Sequence, residues 1–382
     1  FIRKEDIEVV PMELYYAWNE DDVPNAYKDV EVAEKRAYHI ECELTPWVEC
    51  LLNCEYVINV YGDMWGDNAE HVGHKRFLVD CLKMKAAQIL QKKTILYAVT
   101  PGPFSDKKEN QLAKEVFNKF DLVVIREKVS RDNLIKWGFS IEHVVWAPCP
   151  SFLFETNKDY RSKWTQSIEE SHEQQRKVIG ITFGGFNMPC GPYDMWPRVE
   201  EQYEVYVKLA EYVMNVLKAD IVIFSHTNGF DLPPHFHLKC GRDYMILEQF
   251  YHILLKKNPK YEEHIKLIKT PLLPCDIKKV IGSLDMLITG RVHASVAATS
   301  QCIPTVYVEY DRRVIYSDKM TGFSAQLGME EFVCEPQNWD GLRDKVTECF
   351  RHLDDVKARL EETVPVIKEE AQSAFDMIKG IK

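Results

Sequence analysis

Apolar residues in this chain fall into short unbroken runs, separated by longer stretches in which they recur every three or four positions. The runs at 56–60, 94–99, 122–125, 143–147, 178–183, 221–224, 265–268, 285–289 and 304–308 have the length of strands that are apolar on both faces. Between them, Leu78, Cys81, Leu82, Ala86, Ile89 and Leu90 share one helical face, as do Leu112, Val116, Phe117 and Phe120. A further helix runs to Trp137 and stops at Gly138, and Thr45–Cys54 reads as a short amphipathic helix. Past residue 177 the same alternation returns. A long helix carries Val199, Tyr203, Tyr206, Val207, Ala210, Val213, Met214 and Leu217, another covers Leu247–Leu255, and a small-residue helix covers Arg291–Ser300. Residues 7–16 read as a strand entering a proline-marked turn, followed by an acidic loop; 331–334 adds a last strand and 339–381 two or three helices. Strands alternating with helices predict parallel sheets covered on both faces, hence an α/β fold.

The alternation is interrupted once, where residues 154–177 become polar and charged. The expected organisation is therefore an N-terminal α/β domain over 1–155, a linker over 156–176, a C-terminal α/β domain over 177–353, and terminal helices over 354–382. The carboxyl ends of two such sheets are expected to meet at a shared cleft, where open α/β folds bind ligands.

Composition narrows the function classes. A length of 382 residues suits two domains of roughly 150 residues each. The net charge of −11 and pI near 5.6 oppose binding to nucleic acid through the overall field. An anionic substrate needs a local basic pocket instead. The 11 cysteines are scattered without a C-x-x-C pair, which fits reduced thiols better than a disulfide framework or structural zinc. No run of about 18 apolar residues and no N-terminal signal core occurs, and no dinucleotide or P-loop glycine pattern is present.

The candidate chemistry concentrates in L-D-M-L-I-T-G-R-V-H-A-S-V-A-A-T-S-Q-C-I-P-T-V-Y-V-E-Y-D, residues 284–311. This is a strand, helix, strand unit. Gly290 allows a sharp exit from the first strand, and Arg291 and His293 enter the first helical turn, where unpaired amides and the helix dipole favour an anion. On spacing alone two readings stand: a phosphate or carboxylate site, or an arginine capping other carbonyls beside a packing histidine.

The same segment resembles the signature of the polysaccharide pyruvyl transferases: strand, small residue, Arg, apolar residue, His, then an alanine-rich helix and a strand opened by proline. E-Y-V-I-N-V-Y-G-D-M-W (55–65), T-I-L-Y-A-V-T-P-G-P-F (94–104) and D-L-V-V-I-R-E-K-V-S (121–130) resemble that family's earlier blocks. The resemblance covers roughly residues 55–322. It implies two Rossmann-like domains facing a cleft, similar to glycosyltransferase B, with C-terminal helices returning to the first domain. It also implies a strand and helix before the segment at 7–14, an element expected to be missing from a chain that starts at Phe1.

The resemblance implies a cytoplasmic enzyme that moves the pyruvate moiety of phosphoenolpyruvate onto two hydroxyls of a sugar or lipid-linked glycan, forming a ketal in cell-surface or exopolysaccharide biosynthesis. Phosphoenolpyruvate is a co-substrate; no cofactor, metal or nucleic acid is called for, and peripheral association with membrane-bound glycan machinery fits. On the donor side stand Gly290, Arg291, Val292, His293, Arg312, Arg313 and Lys319, with His293 both anion contact and proton donor. On the acceptor or cleft side stand Asp67, Asn68, His74, His226, Asp243, Glu309 and Tyr310, with Asp63 in the Gly62-Asp63 loop as base toward a hydroxyl. Asp63 also reads as a turn or capping carboxylate, and Arg126-Glu127 as an internal ion pair. Two departures stand out. The loop T-F-G-G-F-N (182–187) lacks an arginine, which leaves a second anion clamp to Arg198, Arg312 or Arg313, and Pro148-Cys149-Pro150 replaces Pro-Asp-Pro. Two rivals are a nucleotide-sugar glycosyltransferase of the same architecture and a catalytically silent glycan-binding scaffold.

Overall fold

Strands that are apolar on both faces need helices over both faces of their sheet, and the computed structural model of this chain builds two such units. It describes residues 15–71, 73–105, 107–189, 195–230, 237–311 and 319–381. One unit comprises residues 1–147 with 373–382, the other 148–372.

The first unit runs α1 (Asp22–Ala37), α2 (Pro46–Leu52), β1 (Tyr56–Asn59), α3 (Arg76–Ile89), β2 (Lys93–Val99), α4 (Lys107–Phe117), β3 (Leu122–Ile125), α5 (Val129–Lys136) and β4 (Val144–Trp146). Its strands pair in parallel in chain order, β1-β2-β3-β4. Thr45 caps α2, its hydroxyl accepting the Val48 amide at 3.3 Å. Helix α1 occupies sequence that reads as loop because its inward stripe is thin: Ala26, Val32 and Ala33 are buried, and Asp29 forms a buried ion pair with Lys83 of α3 at 2.7 Å. Trp65, Phe77, Phe117 and Phe120 form the core of one sheet face, while Ala374 and Phe375 pack with Tyr97 and Val124 on another.

The second unit continues α6 (Gln166–Glu173), β5 (Val178–Thr182), α7 (Glu204–Tyr212), β6 (Asp220–Ile223), β7 (Asn228–Phe230), β8 (Leu238–Cys240), α8 (Arg242–Lys257), β9 (Ile265–Leu267), α9 (Pro274–Gly282), β10 (Met286–Thr289), α10 (Val292–Thr299), β11 (Thr305–Val308), α11 (Lys319–Ala325), β12 (Val333–Cys334), α12 (Trp339–Arg351) and α13 (Leu353–Gly380). The six-stranded sheet has the order β12-β11-β10-β5-β6-β9. The chain builds outward from β5 through β6 to β9, then returns to the other side of β5 as β10 and proceeds to β11 and β12. This is the doubly wound dinucleotide-fold order, and its switch point lies between β5 and β10. Every residue of β5, β6, β10 and β11 is buried.

Three expectations change. The charged stretch at 156–176 is no linker: the division falls after Ala147, and the charges clothe the solvated side of α6, of which Ile168 is the buried residue. The hydroxyls of Tyr160 and Ser162 tie the same stretch to Asp276 of α9 at 2.8 and 2.7 Å. The terminal helices return to the first unit only from Ser373, since Val356, Leu360, Val364 and Ile367 of α13 are buried in the second core. The hairpin β7-β8, antiparallel, occupies sequence read as loop. The strand expected at 7–16 falls largely outside the described residues. Among those described, no helix is long and apolar enough to cross a membrane.

Candidate functional site

Thr182 ends β5 opposite Thr289 of β10, so the two following loops leave the sheet side by side at the switch point, where ligands of such sheets bind. Asn187 joins them. Its side chain is fully buried; Oδ1 accepts the Gly184 amide at 3.0 Å, and Nδ2 donates to the carbonyls of Val308 and Glu309 at 3.2 and 3.1 Å. The Tyr206 hydroxyl donates to its backbone carbonyl at 2.7 Å. Gly290 is pressed against this amide so closely that a Cβ there would collide with it. In the loop that lacks an arginine, the Asn187 side chain is therefore committed to the scaffold.

Arg291 is the N-cap residue of α10, its amide bonded to Thr289 Oγ1 at 2.9 Å. Its Nε donates to Asp243 Oδ2 at 2.7 Å and its Nη2 to Asp243 Oδ1. Asp243 is fully buried in the first turn of α8. The planar two-pronged contact assigned to a ligand is thus made to a protein carboxylate, which fixes the guanidinium and cancels its charge. Asp243 is correspondingly a counter-ion and not a cleft wall. Gly184 lies directly over the pair, where any Cβ would strike both Arg291 and Asp243.

His293, two residues on, is exposed. His226, just past the carboxyl end of β6, is half-buried. Desolvation by the surrounding protein, then the neighbouring His293 and Arg291, push its pKa down to about 3. It is a neutral imidazole throughout the physiological range, able to donate or accept a hydrogen bond but not to supply charge.

The remaining donor-side residues divide. Val292 is a core residue, and Lys319 is buried with its ammonium 4.5 Å from the centroid of the Tyr310 ring. Glu309 is buried and accepts the amide and hydroxyl of Thr321 at 2.8 and 2.7 Å; Tyr310 is buried against Phe186. These three fasten residues 309–311 to the start of α11. Arg198 is buried beneath the 184–187 turn, its Nη2 donating to the Gly185 carbonyl at 3.4 Å. Arg312 and Arg313 lie outside the described residues.

A cavity of about 290 Å³ opens beside α10. Phe154, Ile277 and Ala297 give it apolar walls, and His226, Asn228, Lys278 and His293 contribute polar groups; no acidic residue lines it among those described. Lys278 and Asn228 escape sequence reasoning, because one reads as the polar face of α9 and the other as a loop residue. Among the described residues, no group of three His, Cys, Asp or Glu side chains is arranged to hold a metal.

In the first unit, Asp63 is half-buried in the turn after β1. The Asp67 amide donates to the Pro103 carbonyl at 2.8 Å, and the buried Asn68 reaches the Gly102 carbonyl at 3.4 Å. Gly66, at φ +146°, has the Gly102 Cα 2.7 Å from where its Cβ would be, so only glycine fits. Asn68 is thus a brace between two loops, while His74 is exposed. Arg126 and Glu127 form the buried internal pair at 2.9 Å.

Comparison with known proteins agrees with this architecture. HepE of Anabaena, solved with UDP-glucose, superposes with a TM-score of 0.52 at 12% identity, covering 94% of this chain and 97% of that one. MnaA of S. aureus, solved with UDP, gives a TM-score of 0.53 at 12% identity over 97% and 94%. Identities this low establish the fold alone, that of the glycosyltransferase B class. In sequence, the amylovoran biosynthesis protein AmsJ of Erwinia amylovora is 22% identical over 258 residues, 66% of this chain and 56% of AmsJ; the match thus spans little more than half of that relative. The family sequence model described as polysaccharide pyruvyl transferase matches residues 3–312, which include the switch-point loops, Asp243, Arg291 and His293. The chain belongs to the polysaccharide pyruvyl transferase family.

Proposed function

We propose that this chain moves the enolpyruvyl carbons of phosphoenolpyruvate onto two hydroxyls of a sugar or lipid-linked glycan, forming a pyruvate ketal in a cell-surface or exopolysaccharide. The observation that carries this reading is the exposed His293 in the first turn of α10, beside the fixed Arg291 and the neutral His226. The start of a helix attracts phosphate through its unpaired amides and dipole, and an imidazole there can both contact the anion and deliver a proton. Protonation of the terminal methylene carbon by His293 leaves an oxocarbenium-like centre at C2. A sugar hydroxyl adds to it, phosphate departs, and a second hydroxyl closes the ketal. Asp63 is assigned as base toward an acceptor hydroxyl. The scheme needs no cofactor and draws on a cytoplasmic donor, with the chain at the periphery of membrane-bound glycan machinery.

The experiment is donor affinity by calorimetry together with phosphate release and glycan mass. His293→Ala is expected to weaken donor binding and abolish turnover, whereas Asp63→Asn should lower turnover far more than affinity. Release of a nucleoside diphosphate from a nucleotide sugar, without consumption of phosphoenolpyruvate, would favour a glycosyltransferase. Absence of both reactions would favour a scaffold.

A further inference from the structure

The Arg291–Asp243 pair carries no net charge, so an anion held beside α10 must find its counter-charge elsewhere. Lys278 is the ammonium that lines the cavity. It sits on α9, 4% exposed, and its Nζ donates to the Ser300 hydroxyl at 2.6 Å. Its charged surroundings are Glu155 and Lys368, which pair with each other at 2.6 Å. That pairing leaves Glu155 a poor counter-ion for Lys278. Burial first, and Lys368 second, push the Lys278 pKa down to about 8.

A second group points the same way. Asn228 donates through Nδ2 to the Leu272 carbonyl at 2.6 Å, which fixes the amide, and its Oδ1 faces no donor although it is buried. A buried carbonyl oxygen without a partner is costly unless a ligand supplies the missing donor. The cavity thus presents a cation and apolar walls. His293 and Ala297 lie one helical turn apart along its edge, about 6 Å by helical rise.

We propose that this cavity is a carboxylate subsite in which Lys278 supplies the counter-charge. Resting on the donor reading above, the subsite seats the carboxylate of the three-carbon donor, with its phosphate toward His293, which lines the same cavity.

The test is calorimetry on the full chain with three probes: phosphoenolpyruvate, pyruvate and inorganic phosphate. Lys278→Met is expected to weaken phosphoenolpyruvate binding at least tenfold and leave inorganic phosphate within twofold. The wild type provides a check that needs no variant: affinity for pyruvate should fall about tenfold per pH unit above pH 8 as the ammonium deprotonates. Unchanged phosphoenolpyruvate affinity in Lys278→Met, an equal loss for phosphate, or pyruvate affinity independent of pH overturns the subsite. If the wild type binds pyruvate through Lys278 but not phosphoenolpyruvate, the subsite stands and the donor reading fails. If the wild type binds neither carboxylate, the subsite itself is wrong.

Discussion

Removing Asp243 should expose what the Arg291 ion pair contributes. The carboxylate is fully buried and the arginine side chain only 12% exposed, so Asp243→Ala strands a cation in a site that excludes most water. Losing one partner of a buried pair costs about 3–5 kcal/mol, most of it the desolvation of the charge left behind. In Asp243→Ala/Arg291→Met the stranded charge is gone as well, and about 2 kcal/mol or more of that loss should return. Urea denaturation followed by circular dichroism, with midpoints compared at constant slope, measures all four corners of the cycle. Inorganic phosphate should raise the midpoint of the single variant more than that of the wild type, because a bound anion replaces the missing counter-charge. A loss below about 1 kcal/mol in Asp243→Ala, or single-variant effects that simply add, would show that the pair is not the coupled unit described above.

Gly184→Ala should destabilise by about 1–3 kcal/mol through overpacking, because its Cβ would collide with both partners of the Arg291–Asp243 pair; a thermal midpoint equal to wild type would contradict that crowding. Lys278→Met should do the reverse at pH 7. The native pKa of Lys278 is depressed from 10.5 to about 8, so the folded state binds fewer protons than the unfolded state between those values. Wild-type stability should therefore rise from pH 8 to 10.5, by up to about 3 kcal/mol. The methionine variant, which has no such cost, should be the more stable of the two at pH 7 and flatter through that window. A Lys278→Met variant less stable than wild type at pH 7 would mean that the lysine is a structural anchor and not a ligand group.

Much of the sheet was legible because buried parallel strands leave unbroken apolar runs, and the switch-point strand β10 followed by Gly290 is visible in that pattern alone. Helix α1 was not, since Ala26, Val32 and Ala33 make too thin a stripe and its anchoring Asp29–Lys83 pair joins residues far apart in sequence. The charged stretch at 156–176 misled for the opposite reason: a solvated helix face and a linker have the same composition, and only the hydroxyls of Tyr160 and Ser162 on Asp276 tell them apart. The site divides along the same line. Arg291 and His293 lie two residues apart and form a motif, whereas Asp243 lies 48 positions before Arg291 and cancels its charge by a contact that no spacing rule encodes. Lys278 sits in P-C-D-I-K-K-V-I as one of two adjacent lysines, and what distinguishes it from Lys279 is that α9 turns it toward Ser300 at the far end of α10. A motif can therefore locate an anion site, but the charge an anion meets there is set by long-range partners: it is cancelled at Arg291, where the sequence displays it, and retained at Lys278, where the sequence does not.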